Sequence, residues 1–234
     1  MIQQRRLFPG PVSRYDRSMF IAFDLDGTLA DPGDGVTAGI NHTLRALGLP
    51  ERATPSLLRF IGPPTEQIFA EVLETDNPAS IARAREIFSE FYRREGFFRN
   101  RLYDETEPLL DDLSADGHFM TIVTSKASSG AMKVADLFNL HRWMRGVYGR
   151  VNDCSKIDSL NTALSTTDIR PAAMVGDRSF DVAAARACGC IAIAVTWGYG
   201  TMEELTAAAP DHIVHTRDEL VGLLRIIAAP HARG

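Results

Sequence analysis

The chain has 234 residues, a formal charge of −5 and 45% hydrophobic residues. That is enough for one sizeable domain with a modest insert, and it excludes wholesale disorder. The mildly acidic balance argues against nucleic acid as a partner, and no apolar run approaches the roughly 20 residues of a membrane span.

Residues 1–18 carry Pro9, Gly10 and Pro11 without core periodicity and read as an N-terminal extension. They include basic residues but no apolar run of the kind a secretory signal needs. Three cysteines, an odd number, suit a reducing compartment such as the cytoplasm. The first predicted strand covers 19–24. At its end stand Asp24 and Asp26, on the same side of an extended segment because Leu25 points the other way. Two carboxylates so placed repel unless a cation lies between them. The plainer reading, an Asp-Gly turn, does not need Asp24.

From 32 to 103 no strand is predicted. Helical stripes run through Ile40, Leu44 and Leu47; Ile68, Phe69, Val72 and Leu73; and Ile81, Ala84, Ile87, Phe88 and Phe91, with Gly62-Pro63-Pro64 dividing the block. Alternation then resumes. Strands are predicted at 119–124, about 146–149, 172–176, 191–195 and 213–214. Between them run helical faces through Leu109, Leu110 and Leu113, through Met132, Ala135 and Phe138, and through Ile157, Leu160 and Leu164. Near-continuous apolar strands separated by helices imply an α/β core, 19–31 and 104–234, with a parallel sheet covered on both faces. The block at 32–103 implies a small all-α cap over the C-terminal strand ends, where open α/β sheets bind ligands.

Those strand ends carry Asp24 and Asp26, then Thr124, Ser125 and Lys126, then Asp177, Arg178 and Asp181, with Lys156 at a helix start between. Only Lys126, Lys133 and Lys156 are lysines, so a lysine at this edge stands out. Phosphoryl transfer through an acylphosphate needs such a set: a nucleophilic carboxylate, a hard cation, donors for phosphoryl oxygens and an acid/base group. Mg²⁺ suits carboxylates, waters and a substrate phosphate.

In order and spacing, DLDGT, Thr124, Lys156 and GDRSFD resemble the four motifs of haloacid-dehalogenase-superfamily phosphatases. FIGPPTEQIF and VTWGYGTMEEL are similar to segments of its phosphoglycolate-phosphatase and 5′-nucleotidase-like branch. The resemblance covers roughly residues 19–225. It implies a Rossmann-like core and the following roles. Asp24 is nucleophile and metal ligand. Asp26 is general acid/base, its backbone carbonyl also facing the metal. Thr124, with Ser125 and Gly27, holds the phosphoryl group. Lys156 neutralises charge, Asp177 binds Mg²⁺ directly or through water, and Asp181 supports the metal's outer shell or the lysine. Arg59 and Gly62 are cap candidates for substrate contact.

The sequence departs from many relatives in having Ile157 after the lysine and Leu102-Tyr103-Asp104-Glu105 before the core helix. The activity implied is hydrolysis of a small phosphomonoester, phosphoglycolate-like or a nucleoside monophosphate, by a monomer or homodimer. Phosphosugar mutase and inorganic pyrophosphatase share the motifs, and a binding protein with a retired site is the non-enzymatic alternative. Asp26 argues against dehalogenation. The absence of lysine from 31–103 argues against Schiff-base phosphonate cleavage. Among other residues, Lys156 also reads as a surface lysine, Thr124 as strand filler, Asp181 as a helix cap, Arg59 as an exposed arginine, and Arg178 as solvent-facing or paired with a nearby carboxylate. Cys188 and Cys190 read as packing residues.

Overall fold

The computed structural model describes residues 18–152 and 154–229. Residues 1–17 of the proposed extension lie outside that range, whereas Ser18 and Met19 are buried.

The chain begins with β1 (Phe20–Phe23), β2 (Ala30–Asp31), α1 (Gly33–Ala46), α2 (Thr54–Leu57), α3 (Thr65–Val72), α4 (Pro78–Arg94) and β3 (Arg101–Leu102). It continues with α5 (Thr106–Ala115), β4 (Phe119–Ala127), α6 (Ser128–Leu137), β5 (Met144–Arg150), α7 (Lys156–Leu164) and β6 (Ala172–Gly176). Last come α8 (Ser179–Ala187), β7 (Ile191–Val195), α9 (Met202–Ala208), β8 (His212–Val214) and α10 (Arg217–Ala228).

Six strands form one sheet in the order β5-β4-β1-β6-β7-β8, and every neighbouring pair is parallel. β1 is central, between β4 and β6, so the chain switches direction there, and the crevice at the strand ends opens beside it. All four β1 residues are buried. Ile21 and Phe23 join one core cluster with Leu109, Leu110 and Leu113, while Phe20 and Ala22 join another with Leu160 and Val182. This period-2 division explains why an apolar run with no alternation is a strand: helices cover both faces.

The helical block has its own core, in which Ile40, Leu44, Phe69, Val72, Ala84 and Phe88 are buried together. Asn77 starts its longest helix by accepting from the amides of Ala79 and Ser80, with Pro78 behind it. The block leaves and rejoins the sheet through a two-stranded antiparallel ribbon pairing Ala30 with Leu102 and Asp31 with Arg101.

Three expectations need correction. A strand does occur within 32–103, namely β3; at two residues it is too short to carry periodicity. β4 runs on to Ala127, past Thr124, because Ala127 still pairs with Arg150 after a bulge. The buried stripe of α6 is Ala131, Val134 and Ala135, whereas Met132 is exposed. Met132 stands one helical step, about 100°, away from Ala131.

Candidate active site

The turn after β1 is closed from within. The Leu25 carbonyl accepts from the amides of Leu29 and Ala30, and the Gly27 amide donates to the Ala30 carbonyl at 2.8 Å. With Leu25 fully buried below, Asp24 and Asp26 stand at the sheet edge. Gly27 has φ +92°, and a Cβ there would lie 2.3 Å from Asp177 Oδ2, so only glycine fits.

Asp24, Asp177 and Asp181 come together from β1, the end of β6 and the first turn of α8. Among the described residues, they bring one carboxylate oxygen each within 4.8 Å of one another, and all three are buried. One lysine pairs with two of them. Lys156 Nζ lies 2.8 Å from Asp24 Oδ1 and 2.5 Å from Asp181 Oδ1. It opens α7, which Ser155 and Asp158 fix with a reciprocal capping box. Burial alone would lower the Lys156 pKa, but the Asp181 and Asp24 carboxylates outweigh that and hold it above the ordinary lysine value.

Asp177 accepts from the Tyr199 amide at 2.8 Å and the Thr28 hydroxyl at 3.2 Å. Burial, then the Asp181 and Asp24 charges, push its carboxyl up to about 8. Asp181 is likewise raised to about 6, by burial and Asp24 against the lowering pull of Lys156. Its Oδ2 also accepts from the Arg178 amide at 3.0 Å, so it caps α8 as well as meeting Lys156.

Among the described residues, three buried carboxylates face one lysine, which leaves anionic charge uncompensated. An all-oxygen set with such excess charge fits a hard divalent cation. Asp26 is not in this cluster. Its Oδ2 takes Lys126 Nζ at 2.5 Å. Lys126 lies over the Tyr92 ring from α4 of the cap, 5.2 Å from its centroid. Burial would lower the Lys126 pKa, but Asp26 and Tyr92 raise it above normal.

Thr124 is 2% exposed in β4, and its hydroxyl oxygen accepts from the Lys126 amide at 3.2 Å. Ser125 is half-buried beside it. The Arg59 side chain is not brought in. It is exposed and pairs with Glu71 at 2.7 Å. Gly62, at φ +109°, packs against the Arg178 side chain.

Arg178 contradicts its sequence reading as solvent-facing, although the alternative, pairing with a carboxylate, holds. It is 8% exposed, donates Nε to Glu204 at 3.0 Å, and reaches the cap through the carbonyls of Arg59 and Ile61. Glu204 also accepts from the amide and hydroxyl of Ser179, so α9, α8 and the cap loop meet at one guanidinium. Tyr199 ties Asp177 to the ribbon, its hydroxyl donating to Asp31.

Sequence reasoning gave Lys126, Tyr92, Tyr199 and Glu204 no role. The scarcity of lysine that marked Lys156 applies equally to Lys126; Tyr199 and Glu204 lie in the VTWGYGTMEEL segment, and Tyr92 carries no local signal.

The family model for haloacid dehalogenase-like hydrolases matches residues 21–195. A Pseudomonas aeruginosa protein named 5′-nucleotidase is 34% identical over 200 residues, covering 82% of this chain and 89% of that protein. Tyrosine-protein kinase PtkA of Mycobacterium tuberculosis is 32% identical over 86% of this chain and 70% of its own. A phosphoglycolate phosphatase of Vibrio parahaemolyticus is 26% identical over 89% and 96%. Among solved structures, a predicted phosphatase from Clostridium acetobutylicum superposes with a TM-score of 0.83 at 29% identity, covering 88% of this chain and 98% of that one.

Proposed function

Since the chain belongs to the haloacid dehalogenase-like hydrolases, we propose that it is a Mg²⁺-dependent phosphatase hydrolysing a small soluble phosphomonoester through an aspartyl-phosphate. One observation carries this: two carboxylates on one strand end have separate cationic partners, Lys156 for Asp24 and Lys126 for Asp26. A merely structural pair would need no such division.

In this reading Asp24 attacks phosphorus, the bond to the leaving oxygen breaks, and Asp26 gives that oxygen its proton. Water then attacks the phosphorus of the Asp24 acylphosphate and gives a proton to Asp26, freeing phosphate and the Asp24 carboxylate. Lys126 holds the Asp26 carboxyl through Oδ2 at the strand end, where it can turn toward the substrate. Lys156 offsets charge between Asp24 and the phosphoryl oxygens. The Thr124 hydroxyl and the amides after it, with Gly27, hold those oxygens. Asp24, Asp177, Asp181 and the Asp26 carbonyl would hold the metal, which supplies charge compensation around phosphorus.

The partner is a small phosphate ester, phosphoglycolate-like or a nucleoside monophosphate. The protein works as a cytoplasmic monomer or homodimer without nucleic acid or membrane. Among the described residues no helix is long and apolar enough to cross a membrane. The test is phosphate release from p-nitrophenyl phosphate with Mg²⁺ and with excess EDTA. Release that depends on metal is expected. Full release in EDTA overturns the metal's part, and none in either condition overturns the phosphatase.

A further inference from the structure

Arg150, the last residue of β5, pairs in register with Ala127, the neighbour of Lys126. It therefore stands at the same sheet edge as Asp26. Its side chain crosses to the cap, where Nη2 lies 3.2 Å from Glu66 Oε2 and Nη1 lies 3.4 Å from Glu66 Oε1. Those contacts are long for a charge-assisted pair, which closes to roughly 2.7–2.9 Å. The same carboxylate is held far more tightly by Arg85 of α4, at 2.6 Å. Among the described residues two guanidiniums thus share one carboxylate, and one positive charge is left over at the seam between cap and core. Among the described residues Arg150 Nε is moreover buried without an acceptor, although the side chain as a whole is 18% exposed. Buried donors are nearly always satisfied, so an orphan beside loose contacts marks a place for a ligand.

We propose that Arg150, with Arg85 behind Glu66, is a subsite for a second anionic group, carboxylate or phosphate, on the organic part of the substrate. Glu66 stands in for that group, and the substrate's anion takes Arg150 from it. The guanidinium fork matches either anion with two parallel hydrogen bonds, which a lysine would not. This rests on the phosphatase reading and deepens it. It selects doubly anionic esters over nucleoside monophosphates, which carry no second anion.

The experiment measures KM and kcat of the full chain with Mg²⁺ on three esters: propyl phosphate, phosphoglycolate and propane-1,3-diol bisphosphate. Arg150→Met should raise KM roughly tenfold or more for a doubly anionic ester, the usual size for one lost charge-assisted contact. It should leave propyl phosphate unchanged, and the ester that responds identifies the anion as carboxylate or phosphate. Glu66→Gln should lower KM for that ester, and Arg150→Lys should recover only part of the loss. Equal changes on all three esters in Arg150→Met, or a higher KM in Glu66→Gln, would make the network a cap latch and overturn the subsite. An unmodified chain that hydrolyses propyl phosphate but discriminates none of the esters overturns the subsite alone. One that hydrolyses nothing overturns the phosphatase reading, and the subsite with it.

Discussion

Asp177 and Asp181 show what burial beside like charge does to a residue. Each is a carboxylate that burial and neighbouring charge hold above the ordinary value of 3.8, at about 8 and about 6. The folded chain therefore keeps protons that the unfolded chain releases near pH 4. Their contribution to stability is complete below the unfolded value and is lost as pH rises through about 6 and then about 8. A cation bound to the same oxygens competes with those protons. We expect the gain in Tm from excess Mg²⁺, measured against EDTA-treated protein, to be small at pH 5 and large at pH 8. A gain that does not change with pH would mean that Mg²⁺ binds elsewhere. Taking the difference between the two series removes the titration of all other groups.

At the scale of elements, the site is assembled by loops that lock one another. Arg178 joins the cap loop at Ile61 to α9 at Glu204, directly beside Asp177. Lysine has no planar fork and cannot serve both partners. Arg178→Lys should therefore raise KM for every ester by a similar factor, because it loosens the cap as a whole. A change confined to one ester would instead make Arg178 a specificity residue. The longer strands and the carboxylates at their ends were legible in the sequence, because buried parallel strands leave apolar runs and charge at their ends is conspicuous. The ribbon of β2 and β3 was not legible, since two residues carry no period. Nor was the burial of Arg178, whose acceptors in the cap are carbonyls more than 100 positions away. Lys126 was visible as a rare lysine, but its partner Tyr92 comes from a helix of the insert, and periodicity does not say which residue faces the sheet.

For the whole molecule, the chain closes on itself at Met19. The amide of this buried residue donates to His118 Nδ1 at 3.3 Å, and burial holds His118 below the ordinary histidine pKa. A chain shortened to begin at Met19 would place an ammonium there. It should melt lower than one beginning at Arg17, by an amount equivalent to about 1–3 kcal/mol, while turnover stays the same. Equal melting would show that this end tolerates a charge. Turnover depends on cap, sheet and turn together, and the account stands or falls on the division of labour between Asp24 and Asp26. The most direct test is the intact mass of Asp26→Asn after mixing with p-nitrophenyl phosphate and Mg²⁺ and quenching in acid. Loss of the general acid/base should slow turnover by about 10²–10⁴-fold. The good leaving group should still let Asp24 be phosphorylated, so protein carrying one added phosphoryl group should accumulate. Asp24→Asn, alone or combined with Asp26→Asn, should carry none. A phosphoryl adduct that persists without Asp24 would contradict the account, because another residue would then be the nucleophile.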